Sequence, residues 1–299
     1  KLDEANEAMH SARDHHRLKP RLALLSEDLI LAVGEAVTDV FAPTTLAHLA
    51  ATSRDFHTVL RPQVQELKAF YSSVRMLGAK LDYDMSCLCE AYWLNWNARQ
   101  LNTTDLTLLG QLMRQGALMS VEILNLANNQ IDDDGLMTLV EGLHKGSLDR
   151  LEDLSLQGNQ IGYDGIRALS NVMSNSVLPS LRSLALDDNQ MSDASMRAFS
   201  SAIADGALPN LTSLYLSLNQ IGDDGIKHLC AVTAAGGLRR LERLYLSDNQ
   251  ICDEGMRTLA SAIAHDCFPA LHSLWIHRNA GCAECVKAVC KARRICFQI

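Results

Sequence analysis

One phrase constrains this chain more than anything else in it. LxxLxLxxNxI begins at 121, 151, 181, 211, 241 and 271, each start thirty residues after the last. The copies read VEILNLANNQI, LEDLSLQGNQI, LRSLALDDNQM, LTSLYLSLNQI, LERLYLSDNQI and LHSLWIHRNAG, and Ala91 opens a degenerate copy, AYWLNWNARQL. No insertion interrupts them. Thirty residues carry too little apolar surface for a core of their own, so neighbouring units have to stack and share one.

Position by position, the phrase specifies its own geometry. Leu124 and Leu126, Leu154 and Leu156, and their successors lie two apart, which puts both on one face of a short strand. Asn129, Asn159, Asn189, Asn219 and Asn249 follow the strand, where a turn leaves backbone groups without a ladder. A side-chain amide both donates and accepts, so a column of them can satisfy one turn per rung. The second half of each unit reads as helix. Asp134-Gly135, Asp164-Gly165, Asp224-Gly225 and Glu254-Gly255 place acid at its start, and Leu139, Leu169, Phe199, Leu229 and Leu259 turn inward beyond. Leu178-Pro179, Leu208-Pro209 and Phe268-Pro269 mark the exits to the next strand. With its long helical tail, xxxGxxxLxxxL, the pattern resembles leucine-rich repeats of the ribonuclease-inhibitor type. That resemblance implies an α/β solenoid: a right-handed horseshoe with parallel strands on the concave face and helices on the convex face.

The chain before the repeats has a different character. Residues 1–21 form a polar arm with His10, His15 and His16, and the adjacent pair points to different sides of a helix, which disfavours a metal site. From Leu22 the text becomes LALLSEDLILAVGEAV, breaks at Ala42-Pro43, and resumes as TTLAHLAATSRDFHTVL. Ser26 suits a helix cap with Glu27 and Asp28 in the first turn, Leu29, Val33 and Val37 share a face, and Pro62 reads as the stop of a second helix. The run Leu25-Ser26-Glu27-Asp28-Leu29-Ile30, then Thr45-Leu46, then Ser53-Arg54-Asp55-Phe56 resembles an F-box, with Ser26 and Thr45 standing where that family usually has proline and aspartate. The resemblance implies that a small all-α module over 22–61 docks the adaptor subunit of a cullin-type ubiquitin ligase through Leu25, Leu29, Val33, Leu46 and Phe56. The same residues also fit a plain helical cap on the repeat array. Residues 62–90 read as a helical connector or N-terminal cap, with Val64, Leu67, Phe70, Val74, Leu77 and Leu81 as its apolar positions, and the repeats with a C-terminal capping helix occupy 91–299.

Composition excludes several classes of function. A formal charge of −8 and 47% hydrophobic residues describe a folded protein with no footprint for nucleic acid. No apolar run approaches the roughly 20 residues that span a bilayer. The phosphate loop GxxxxGK[ST], the GxGxxG turn, HExxH and GxSxG are all missing, so no catalytic residue and no cofactor is expected. Asp132-Asp133-Asp134-Gly135 lacks the alternation and final glutamate of a calcium loop. Nine cysteines, an odd number, suit reduced thiols and an intracellular location, cytoplasmic or nuclear. Cys87 and Cys89 would face one side of a strand. The run Cys282, Cys285, Cys290 and Cys296 contains a CxxC that suggests zinc or redox chemistry, but its register places it on the last helix, where packing explains it.

The position between the inward leucines reads Asn95, Asn125, Ser155, Ala185, Tyr215, Tyr245 and Trp275. Its last three members form an aromatic column. Ser213, Arg243 and Ser273 lie on one side of it, Ser217, Ser247, His277 and Arg278 on the other, with Asp187, Asp188 and Asp248 close by. Aromatic side chains flanked by charge are what protein-binding hot spots are made of. Tyr92, Trp93 and Trp96, at the other end, are expected to pack the first rung against the helical module. The expectation is a non-enzymatic adaptor with protein partners, which the F-box resemblance narrows to a ligase substrate receptor; a structural scaffold subunit and a regulator of an enzyme or small GTPase are the competing readings.

Overall fold

The computed structural model describes residues 54–175 and 177–298. The polar arm and Leu25, Leu29, Val33 and Leu46 of the F-box-like module lie outside the described residues. The chain divides between Leu88 and Cys89 into two compact units.

In the first unit, helix α1 (Arg54–Leu81) runs for 28 residues. Phe56 sits on its first turn. Pro62 does not stop it, contrary to the sequence reading. A proline removes one donor and crowds one carbonyl, and a helix this long keeps its remaining backbone bonds on both sides of that gap. Val74, Leu77 and Leu81, spaced for one helical face, are buried. A 3₁₀ helix over Met85–Glu90 follows, burying Met85 and Leu88. Cys87 and Cys89 are exposed on this helix and not on a strand.

The second unit alternates strand and helix: β1 (Trp93–Asn95), α2 (Thr103–Arg114), β2 (Ile123–Asn125), α3 (Asp133–Val140), β3 (Asp153–Ser155), α4 (Tyr163–Met173), β4 (Ser183–Ala185) and α5 (Asp193–Ala204). It continues through β5 (Ser213–Tyr215), α6 (Asp223–Ala234), β6 (Arg243–Tyr245), α7 (Asp253–Ala264), β7 (Ser273–Trp275), α8 (Glu284–Arg293) and β8 (Cys296–Gln298). The strands form one open parallel sheet in sequence order. From β1 to β7 each residue pairs with the one thirty positions on, as Leu124 with Leu154 and Leu154 with Leu184. This is a leucine-rich repeat solenoid. β8 breaks the interval: Ser273 pairs with Cys296.

The core is the stack of strand leucines against the helices. Leu184, Leu186, Leu214, Leu216, Leu244 and Leu246 are fully buried, as are Phe199, Leu229 and Leu259 from the helices. Trp96 is buried because it takes the register position of Leu126, whereas Tyr92 and Trp93, expected to pack with it, are exposed. The asparagines work as a ladder. Asn219 Nδ2 donates to the carbonyls of Leu186, Leu216 and Ser217, and its Oδ1 accepts the Met191 N–H. Asn129, Asn159, Asn189 and Asn249 make the same set, and Asn279 extends it by a rung that the sequence reading omitted.

Helix starts are capped across rungs. Asp133 Oδ1 accepts the N–H groups of Gly162 and Gly165, which belong to the next helix, and Asp193 does the same for Gly222 and Gly225. Asp223 serves Cys252 and Gly255. Where the preceding unit lacks this aspartate, the helix caps itself, as Ser192 does after Tyr163 and Asp132 does after Thr103. The acidic residues singled out from sequence, such as Asp224, lie one position further on and in the first turn.

All nine cysteines are free. Cys290 is buried on α8, and its thiol is pushed up to about 11 by burial. It shares a register position with Gly110, Val140, Ser170, Ser200, Cys230 and Ala260, all of them buried on their helices.

Candidate functional site

In-register parallel strands turn a repeated position into a column, because neighbouring strands lie only about 4.8 Å apart. Tyr215 pairs with Tyr245 and Tyr245 with Trp275. The two tyrosine rings stack at 4.6 Å between centroids with 16° between planes, and Trp275 follows at 5.2 Å and 39°. All three are half-buried, each ring covering its neighbour and leaving an edge outward. The Trp275 indole N–H donates to Ser273 Oγ at 3.1 Å, which fixes the ring.

The flanking charges are held in place by hydrogen bonds. Arg243 Nε donates to Ser213 Oγ at 3.0 Å, and that hydroxyl is itself buried. His277 stands 6.3 Å from the Trp275 ring, with Nδ1 2.8 Å from Ser247 Oγ. Asp248 ties the C-terminal end together, 3.7 Å from His277 Nε2 and 3.4 Å from Arg278 Nη1. Asp187 Oδ1 accepts the Ser217 N–H at 2.9 Å, and burial pushes its carboxyl up to about 6. The structure therefore brings Tyr215, Tyr245, Trp275, Arg243, His277, Asp248 and Arg278 together. Asp188 bonds to none of them and is exposed.

Leu218 is a residue that sequence reasoning missed. Ala98, Asn128, Gly158, Asp188, Leu218, Asp248 and Arg278 share one register position, and each has a left-handed backbone with φ between 52° and 67°. Glycine, asparagine and aspartate tolerate that region; a leucine there is unusual. Leu218 is also 50% exposed, so it gains neither backbone comfort nor burial. Its signal in the sequence was a leucine where the other copies carry small or polar residues.

Ser247, His277 and Asp248 are the three residue types of a hydrolytic triad, but not its geometry. Ser247 is 2% exposed, so its hydroxyl has no open side for a substrate, and the Asp248 contact is longer than a hydrogen bond. No group of three or more His, Cys, Asp or Glu among the described residues is placed to hold a metal. No helix among them is long and apolar enough to cross a membrane. What the arrangement offers is a rigid aromatic surface with oriented charges at its rim.

The family described as Leucine Rich repeat matches residues 117–140, 151–170, 177–200, 207–230 and 238–260. No curated protein matches the sequence. Among solved structures, the chain resembles an internalin (inlF) of Listeria monocytogenes str. 4b F2365, at 20% identity and a TM-score of 0.41, over 71% of this chain and 62% of that one. It also resembles a plant ice-binding protein, at 17% identity and a TM-score of 0.32 over 56% of this chain and 45% of that one. The leucine-rich repeat domain of APL1 matches at 15% identity and a TM-score of 0.28, over 55% of this chain and 51% of that domain. The chain thus spans less than two thirds of the length of each.

Proposed function

We propose that this leucine-rich repeat protein is a non-enzymatic adaptor that captures a protein partner on the strand face of its C-terminal rungs. One observation carries the reading: Tyr215, Tyr245 and Trp275 stand in register, stacked and half-exposed, with Arg243, His277 and Arg278 beside them. The fold asks for leucines on the inner face and is indifferent to this outer position, which is asparagine, serine or alanine in the other rungs. Rigid aromatics give large contact area at little conformational cost. Affinity capture by the full chain, with bound proteins identified by mass spectrometry, supplies the partner. Alanine at Tyr215, Tyr245 or Trp275 is expected to weaken that partner by about tenfold each while circular dichroism stays unchanged; undiminished binding by all three variants rejects the site.

The partner class rests on the segment around 25–60. Its resemblance to an F-box supports a substrate receptor of a cullin-type ubiquitin ligase, with Leu25, Leu29, Val33, Leu46 and Phe56 docking the ligase adaptor. The long helical half of each repeat supports the ribonuclease-inhibitor-like type, and free thiols support an intracellular location. Co-precipitation of the ligase adaptor, abolished by Leu29→Ala and Phe56→Ala, is the expected result. Failure to retain that adaptor removes the ligase role and leaves a leucine-rich scaffold.

A further inference from the structure

The aromatic column is open at one end. Tyr245 covers one face of the Tyr215 ring, so the other face looks along the column toward the next register position, which is Ala185. At the far end Trp275 is followed by Gln298 on β8. One place in the stack is therefore vacant, about one ring spacing deep, with a methyl group as its floor. Carboxylates stand on either side of it. Asp187 is two residues beyond Ala185 and on the same face of the sheet; Asp153 lies on the neighbouring strand, bonded to the Ser183 hydroxyl. Neither has an ion-pair partner among the described residues, whereas Arg278 at the other end is already engaged by Asp248 and Arg243 by Ser213. Burial raises the carboxyl groups of both Asp153 and Asp187, the mark of acids that water solvates poorly.

We propose that this vacant place receives an arginine of the partner, its guanidinium stacked on the open face of Tyr215 and its N–H groups directed to Asp187, with the Asp153 carboxylate adding to the negative charge around the slot. The inference rests on the reading that the aromatic column captures a partner. A guanidinium is planar, fills one stacking interval, and carries a fork of donors that matches a carboxylate. A lysine ammonium is a compact, strongly hydrated point charge and matches the slot in neither respect. A neutral aromatic side chain would fill the stack but leave two poorly solvated carboxylates without a counter-charge.

The test uses the full chain and a random peptide display library. Recovered peptides are expected to share an arginine, and replacing it by citrulline, which is flat but neutral, should weaken binding by about tenfold or more, with lysine weaker than arginine. Asp187→Asn keeps an acceptor for the Ser217 N–H, so the fold survives, and should cost the arginine peptide about tenfold while sparing the citrulline peptide. Ala185→Tyr fills the place and should erase the preference for arginine. Peptides that depend on Tyr245 and Trp275 but lack arginine, or that bind Asp187→Asn and Ala185→Tyr undiminished, overturn the arginine slot and leave the partner-binding face standing. Recovery of no peptide, or only of peptides indifferent to Tyr245→Ala and Trp275→Ala, overturns both.

Discussion

At the scale of single residues, the repeat works by giving each recurring position one physical task. Asn219 serves three carbonyls and one N–H that no strand or helix satisfies. Asn219→Ala should cost about 1–3 kcal/mol in urea unfolding, because the buried Met191 N–H loses its acceptor, whereas the carbonyls of Leu186, Leu216 and Ser217 each keep a second donor in Asn189, Asn249 and the Asp188 N–H; a loss below that of an exposed Gln220→Ala control would show that water replaces the amide. Asp187 gives a pH signature. Its folded carboxyl titrates near 6 through burial, against about 4 in an unfolded chain. The native state then holds the proton more tightly, so this residue's contribution is present below about pH 4 and is lost as pH rises through 6. Asp187→Asn should raise the melting temperature at pH 7.5 and leave it unchanged at pH 4. Equal shifts at both pH values would assign the effect to something other than the charge. The asparagine task was legible in the sequence; the Asp187 environment was not, since it depends on what the neighbouring rungs place around it.

Elements here do not stand alone. A three-residue strand has no stability of its own, and each of these strands exists because a neighbour pairs with it, on both sides from β2 to β7 and on one side for β1 and β8. The helices are linked in the same way. Asp193 is the first residue of α5, yet its carboxylate caps α6, and the glycine at the third position of α6 makes room for it. A Cβ on Gly225 would lie 2.7 Å from Asp193 Oδ1. Asp193→Ala should cost about 1 kcal/mol, and Gly225→Ala about 1–3 kcal/mol by crowding. Combined, the two should cost less than their sum by at least about 0.5 kcal/mol, since the carboxylate that the methyl displaces is already gone. Strict additivity in urea unfolding would refute the coupling. Sequence reading placed acid at the helix starts but assigned it to each residue's own helix. Nothing within one repeat says that a side chain serves the next one. Pro62 is the converse case: a local breaker rule that the length of α1 overrides.

At the scale of the array, stability is a sum over neighbours, so the end rungs matter for what they cover. α8 and β8 shield the last full rung, with Val286, Cys290 and Ile295 buried against it. Deleting residues 282–299 should expose the β7 edge and the inner surface of α7, producing concentration-dependent association in light scattering. A monodisperse truncated chain would show that the rung needs no cover. By itself, the sequence determined the unit, its thirty-residue interval, which residues face inward and the order of strands, because periodicity and hydrophobic spacing are local properties that stacking merely repeats. It also determined the identity of the aromatic column, since parallel pairing in register makes every repeated position a line. Only the tertiary structure decided how tightly the rings stack, which carboxylates lose their water, that Leu218 sits exposed on a left-handed backbone, and that the column ends above Ala185 with one face open. Those depend on distances between rungs, and a distance between residues thirty apart is set by the packing of the whole array.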